Sequence, residues 1–581
     1  MCLLAQVEPR KDSVVVTGAY DAIPLEEADR PVKILDLRDL SLLANSPVDL
    51  LKLDSSLDVL ERAPNGVQTD LSIRGGSFGQ SLILLNGIRL NDPQSGHHNM
   101  DLPVPAEAIE RIEVLHGAGS AFYGSDAAGG VVNYITRRPE TSEIRLRTAA
   151  GNWGVNQQRG VITGVGDRVT EQLTFSRDFS TGFAPDRDYR NLTFGSTTNW
   201  RSRLGFTDLI LGYGDRPFGA DQFYGNFNSW ERTKTWFASL RQELGTKTEA
   251  SFAYRRHTDL FVLYRDRPEV FTNRHYAESY DGAVRRRETL GRNAKLHYGA
   301  EVYADSIVST NLGTHGRIRE AGYISLDVRA LRRFSFSTSV REEIYGNFRR
   351  ELSPSAHGGL WITQRLRLRG GASRAFRLPS FTDLYYHDPA NVGSPNLRPE
   401  TAWNYEGGLE WNAGGRIHGD VTAFQRREHD GIDYVRYSPD DIWRATNFQR
   451  LTFSGIEASA AATAARIHRF QLQYTGLTGG REARQAVYSK YAFNYPEHTG
   501  VVSWQASLAG GLLARTRIGA VKRYARDPYA VWDTYLGWSR GRVHPYAQFT
   551  NLTDVRYQEV PGVAMPGRGV VVGLEILAWG R

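Results

Sequence analysis

Few residues in this chain are of types and spacing that could do chemistry. Adjacent His97 and His98, with Asp101 close behind, are the most compact group of metal-ligand types. Side chains of adjacent residues diverge, so one ion held by both histidines is geometrically awkward. Gly117-Ala118-Gly119 follows a strand pattern, as a dinucleotide loop would. The next glycine of that fingerprint falls at Gly124 instead of position 122, however, and no helical crossover follows, so tight turns are the better account. No His/Ser/Asp set stands out from scatter. The single cysteine, Cys2, excludes an internal disulfide and any Cys-based metal or iron–sulfur site. Enzyme chemistry is not supported.

Composition narrows the scaffold that positions such residues. Of 581 residues 40% are hydrophobic and 23% charged, enough apolar matter for a sizeable core and unlike a disordered chain. Mean hydropathy is −0.44 and there is no run of 18 apolar residues, which excludes a helical membrane protein. A membrane β-barrel survives that test, because its short spans alternate apolar with polar. The 58 glycines and the 12 Trp, 28 Tyr and 25 Phe fit a large all-β protein with many turns. The net charge of +7 comes from interspersed residues with short clusters such as Arg285-Arg286-Arg287, which suits loops or lipid headgroups more than nucleic acid. Residues 1–6 form an apolar patch ending in a small residue. They read as a signal-peptide remnant, with an ordinary start as the alternative.

Two textures follow one another along the chain. Residues up to about 138 mix helix and strand signals, as a small α+β domain would. Ser46-Pro47 starts a short helix, Asn86-Gly87 sits between apolar strands as a hairpin turn, and Ile109 to Leu115 alternates before a Gly-rich segment. From about Glu143 onward the pattern is strands, with no defensible helix. Phe470, Leu472 and Tyr474 alternate with Gln471, Gln473 and Thr475; Leu366 and Leu368 alternate with Arg365, Arg367 and Arg369. A tilted span with its turn and loop takes roughly 20 residues, so about 440 residues hold about 22 strands. A barrel of that size has a lumen wide enough to need a plug. The predicted fold is an all-β transmembrane barrel of about 22 antiparallel strands with an N-terminal α+β plug domain inside the lumen. A soluble, secreted β-rich binding protein is the alternative, because alternation does not say which face is wet.

Motifs at separated sites, in order, carry a resemblance. They are Leu71-Ser72-Ile73-Arg74-Gly75; Leu84 to Asn91; Ile109 to Val114 followed by Gly117, Tyr123-Gly124-Ser125-Asp126-Ala127 and Gly129 to Asn133; Ala375 to Tyr385; Pro395 to Thr401; and Asn551 to Tyr557 with Pro566-Gly567-Arg568. Over nearly its whole length the chain resembles a TonB-dependent outer-membrane receptor, closest in character to the vitamin B12 (cobalamin) receptors. The resemblance implies a periplasmic segment over residues 7–30, a plug over 31–138 and a barrel over 139–581. A TonB box is implied at Asp12, Ser13, Val14, Val15, Val16 and Thr17, where three valines suit strand addition to a partner sheet; an edge strand of the plug is the plain alternative. The implied partner is TonB with its ExbB/ExbD energy complex.

By the same resemblance, plug-apex loops touch ligand from outside, here through Asn65, Gly66, Gln94, Ser95, Gly96, His97, His98 and Asn99; solvated turns are the alternative. No cofactor is required. Asp186, Asp188, Asp215 and Asp221 fall where cobalamin receptors often hold Ca²⁺ in extracellular loops. The implied function is active transport of a scarce bulky nutrient, cobalamin or a related corrinoid, across the bacterial outer membrane by a monomer embedded in lipid. A ferric siderophore or other iron chelate is the runner-up substrate, and a signalling receptor without transport is a further alternative.

Overall fold

A backbone that crosses lipid must satisfy its own hydrogen bonds, which a sheet does only by closing on itself. The computed structural model describes residues 14–15, 17, 23–37, 41–330, 333–346, 349–481, 488–492 and 494–580. From Glu143–Gly151 to Gly569–Trp579 successive strands pair antiparallel, and the first pairs with the last, Thr148 opposite Leu574. Two two-residue strands, Asn391–Val392 and Tyr488–Ser489, sit beside the ring; without them it has 22 strands. Among the described residues no helix is long and apolar enough to cross a membrane.

The face left open by alternation is resolved by burial, and the polarity is the reverse of a soluble protein. Phe470 is 47% exposed and Leu472 57%, whereas Gln473 between Leu472 and Tyr474 is 4% exposed. Leu368 likewise faces outward while Arg367 is buried. Among the described residues the largest fully buried side chains are Arg341, Arg367, Arg426 and Arg515. The apolar rows therefore face lipid and the polar rows fill the lumen. One short helix, Phe381–Tyr385, interrupts the strands where the sequence reading places none; Ser380 caps it through Asp383 N–H (3.1 Å).

The two rims differ. Short turns such as 202–205, 245–247 and 539–542 join strands at one rim, and long connections such as 262–272, 377–400 and 550–569 at the other. Outward-facing Trp200, Trp411, Trp538 and Trp579 all lie at strand ends on the short-turn rim, where an interfacial aromatic girdle belongs. Short turns mark the periplasmic side of outer-membrane barrels, so the long loops are extracellular.

Inside the lumen lies a five-stranded mixed sheet, ordered Val32–Asp36, Ile109–His116, Gly130–Thr136, Ser81–Leu85, Ile88–Arg89. Asn86 and Gly87 make its hairpin turn with φ of 49° and 82°, the left-handed pair a type I′ turn demands. Helix Pro47–Leu51 starts at Ser46 with a reciprocal cap to Asp49, and its Leu50 and Leu51 join Ile83, Leu85, Ile112 and Val132 in the domain's apolar core.

The outside of this plug is charged. Arg74, swung out by a φ of 52° at the end of strand Val67–Ile73, donates twice to Glu457 (2.7 and 2.8 Å) and once to Glu406 (2.7 Å), both on barrel strands. Gly75 is needed beside it, because a Cβ there would lie 2.6 Å from the Phe453 ring. His116 bridges Asp54 (3.0 Å) and Glu457 (3.1 Å), and Arg523 of the barrel clamps Asp58 (2.6 and 3.0 Å).

Removing Arg74 leaves buried Glu457 and Glu406 without their shared guanidinium and with only His116 and His357 beside them, a cost of about 3 kcal/mol. Arg74→Ala is expected to lower the urea midpoint for tryptic cleavage within the plug while the barrel keeps its heat-modifiable migration on gels. Burial opposes charge on His116, but the carboxylates of Glu457 and Asp54 outweigh it and raise its pKa to about 9. With an ordinary value near ~6.5, the stabilisation is complete below that pH and is lost as pH rises through about 9. The plug's urea midpoint should fall over that interval, and His116→Gln should remove that part of the dependence.

Candidate functional site

Above the plug, on the long-loop side, the lumen opens into a cavity of about 1060 Å³. Its floor is plug: Phe78, Gln94, Ser95, His97 and His98. Its walls are barrel strands and loops rich in aromatics, including Tyr224, Phe261, Phe271, Tyr386, Tyr434 and Tyr491. The apex is a 3-10 turn, Gly96–His98, opened by Ser95, whose Oγ accepts His97 N–H (3.4 Å). His97 stacks on Phe78 (ring centroids 4.3 Å) and Tyr491 meets Phe78 edge-on (5.3 Å).

His97 Nδ1 lies 2.8 Å from Asp70 Oδ1, and Asp70 is also paired with Arg62 (2.9 Å). Burial lowers the His97 pKa more than Asp70 raises it, so the ring is neutral at pH 7. Burial would raise the Asp70 carboxyl, but Arg62 and His97 hold it well below the usual carboxylate range. A neutral ring donating from Nδ1 keeps Nε2 as an acceptor.

Of the eight residues expected at the apex, Gln94, Ser95, His97 and His98 line this cavity. Gly96 and Asn99 shape the loop instead. A Cβ on Gly96 would lie 2.7 Å from the Phe78 ring, and Asn99 Oδ1 accepts Asp92 N–H (2.9 Å). Asn65 and Gly66, with φ of 63° and 70°, form the turn between strands Leu57–Ala63 and Val67–Ile73. Asn65 faces a second cavity of about 160 Å³ with Lys52, Glu61 and Arg523, and donates to Tyr189 OH (2.5 Å).

The four aspartates do not form one cluster: Asp215 lies within strand Phe206–Asp221, apart from Asp186, Asp188 and the strand's last residue, Asp221. Arg265 bonds both Asp186 (3.1 Å) and Asp188, so a cation bound there would have to displace this guanidinium. Asp215 is held by Arg232 (two contacts of 2.7 Å). Asp221 donates its backbone N–H to the Asp186 carbonyl (3.2 Å).

Against the expectation that the sequence holds no Gly-x-Ser-x-Gly nucleophile elbow, Gly75-Gly76-Ser77-Phe78-Gly79 has that spacing. It opens a 3-10 turn, Phe78–Gln80, where an elbow needs a strand-to-helix turn.

On the short-turn side lies the N-terminal segment. Asp12, Ser13 and Val16 fall outside the described residues. Val14–Val15 pair antiparallel with Ile23–Pro24. Thr17 is buried, and both its N–H (2.8 Å) and its Oγ1 (2.7 Å) donate to Glu113 Oε2, while Asn133 Nδ2 donates to Thr17 Oγ1 (3.0 Å). Glu113 is completely buried in strand Ile109–His116, and its other oxygen takes Arg111 Nε (2.9 Å). Sequence reading found Glu113 within a motif but gave it no role.

Glu113→Ala removes the acceptor of both Thr17 bonds. In a Cys2→Ser background with a nitroxide at Val15→Cys, this change should raise spin-label mobility markedly. An unchanged spectrum would show that other contacts hold the segment.

A family model described as "TonB dependent receptor-like, beta-barrel" matches residues 128–557, and one described as "TonB-dependent Receptor Plug Domain" matches residues 24–131. The chain is 25% identical over 517 residues to the vitamin B12 transporter BtuB of Photobacterium profundum, covering 82% of this chain and 80% of the relative. It is 25% identical over 510 residues to the iron-regulated outer membrane virulence protein of Vibrio cholerae, covering 78% and 74%. The fold matches a crystal structure of the ferric enterobactin receptor PfeA of Pseudomonas aeruginosa with a TM-score of 0.78, at 16% identity, over 97% of this chain and all of that one.

Proposed function

The chain belongs to the TonB-dependent receptors of the bacterial outer membrane, and from that premise we propose that it actively imports cobalamin or a related corrinoid. The observation that carries this reading is the lining of the extracellular cavity. It combines broad aromatic faces with hydrogen-bonding groups at the plug apex, of which Gln94, Ser95 and His97 are neutral. Among its described residues are the carboxylates Asp58, Asp70, Glu231, Asp259 and Asp388 against the cations Arg62, Arg74 and Lys490, and both arginines are already paired. A corrinoid is a large, amide-fringed macrocycle without multiple negative charges, and suits such a surface. A ferric catecholate carries several negative charges and would find few cations on this wall that are not already paired. The similarity to a protein named as a vitamin B12 transporter points the same way.

A ferric chelate is the second reading. Lys490 lies at the cavity over the rings of Tyr434 and Tyr491 (5.6 Å each), a cation an anionic ligand could meet, and the enterobactin receptor shares the fold. Titrating the purified receptor with cyanocobalamin and with a panel of ferric siderophores separates the two. Saturable binding of cyanocobalamin alone is expected, and a deletion strain should then be limited for cobalamin and not for iron.

Energy coupling is assigned to the valine segment, which a TonB-type partner would recruit by strand addition. Val15→Pro removes a ladder donor. It should abolish uptake while ligand affinity stays unchanged; wild-type transport by that variant would sink the assignment. His97→Ala, which removes a neutral acceptor and a stacked ring from the cavity floor, should weaken binding by roughly tenfold, the scale of one good polar contact.

A further inference from the structure

We propose that His98, Glu231 and Asp259 form a binding site for a divalent transition-metal ion of the Zn²⁺ class, joining the plug apex to two barrel strands at the floor of the extracellular cavity. His98 comes from the plug, Glu231 from strand Asn228–Leu244 and Asp259 from strand Thr248–Val262. One ligand atom from each lies within 4.8 Å of the others. His98 Nε2 is 3.5 Å from Asp259 Oδ2 and 4.0 Å from Glu231 Oε1. Ligand atoms about 2.0–2.2 Å from a tetrahedral ion sit roughly 3.3–3.6 Å apart, so a small contraction completes the set.

Charge supplies a second, independent observation. The three residues are 5%, 2% and 5% exposed in the order His98, Glu231, Asp259. Among the described residues neither carboxylate has a Lys or Arg within ion-pair distance; His98 is the only basic side chain both share. Asp259 Oδ2 accepts Gln94 Nε2 (2.8 Å) and Glu231 accepts Tyr224 OH, but the buried Asp259 Oδ1 has no hydrogen-bond donor among the described residues. Two buried carboxylates sharing one imidazole are a costly arrangement that a dication relieves.

The arginines nearby are committed elsewhere, Arg255 to Asp92 (2.8 Å) and Arg216 to Asp101 (2.7 Å). His98, Asp101 and His257 are also close enough to share an ion, but Asp101 is taken by Arg216 and His257, and neither Asp101 nor His257 lines the cavity. The chosen triad does line it, which gives an ion a route in and leaves coordination positions open. One imidazole, two carboxylates and no thiolate suit Zn²⁺, Fe²⁺ or Ni²⁺ and not Cu⁺. The corrinoid's own cobalt is enclosed by its macrocycle, so this site goes beyond the transport reading and stands or falls separately.

The test uses the full chain in detergent, stripped with a chelator and titrated with Zn²⁺ alone by calorimetry. One Zn²⁺ per chain is expected, with an X-ray absorption signal of N/O ligands including imidazole. His98→Gln and Asp259→Asn should each weaken binding by roughly tenfold or more, and Asp430→Asn, whose carboxylate pairs with Arg398 and does not line the cavity, should leave it unchanged. Gel migration checks that each barrel is folded; if His98→Gln fails to fold, Asp259→Asn and Glu231→Gln carry the comparison. An absence of saturable Zn²⁺ binding, or binding that persists in the triad variants, would overturn the proposal and leave a His98–Asp259 ion pair only.

Discussion

The whole molecule depends on how a closed sheet divides its side chains. Every strand that gives one row to lipid must give the next row to the lumen, and in a ring of 22 strands that lumen is too wide for barrel side chains alone to fill. The lumen rows are therefore polar, down to fully buried Arg341, Arg367, Arg426 and Arg515. Anything that fills the space must answer them in kind. The plug meets the barrel partly through apolar contacts, such as Val67 against Phe218 and Phe223, and partly through Arg74, His116, Asp54 and Asp58. Such an interface is specific because every pair is geometrically demanding, yet its net contribution is modest because both partners were desolvated to form it. Losing one member is far more damaging than the pair is stabilising.

That same arrangement gives the protein two unlike ends. Aromatics and neutral polar groups gather at the extracellular cavity, and the N-terminal segment is tied to the plug at the opposite rim by Glu113. The two ends share one sheet. Strand Ile109–His116, which carries Glu113, pairs with Gly130–Thr136, and that strand pairs with Ser81–Leu85, whose hairpin leads directly into the loop bearing Gln94 to His98. A contact made at the apex and a bond held at the base are thus two strands apart in one largely buried sheet.

Local signals made much of the fold legible. Strand alternation, the Asn86-Gly87 hairpin and the Ser46-Pro47 helix start each depend on a few neighbouring residues, and each forms as expected. The helix Phe381–Tyr385 was not legible, because five residues are too few for a helical period to show. Which strand face is wet was not legible either, since Phe470 and Gln473 alternate identically in a soluble sheet. Of the site, the Gln94–His98 loop could be placed by resemblance. The aromatic walls could not, because Tyr224, Phe261, Tyr386 and Tyr491 are brought together by ring closure across hundreds of residues.

The adjacent histidines show what separates a residue type from a site. Side-chain divergence argues against one ion held by both, and the structure sends His97 to Asp70 and His98 to Asp259 and Glu231. The first histidine is buried beside a carboxylate it shares with Arg62, and burial outweighs that carboxylate, so its ring is left uncharged as part of the cavity floor. The second finds two carboxylates that, among the described residues, have no guanidinium to share. Identical residues one position apart are given different chemistry by their partners: His97 meets Asp70 within the plug, whereas the barrel wall supplies His98 with Glu231 and Asp259, more than a hundred residues away in sequence and beyond the reach of any local motif.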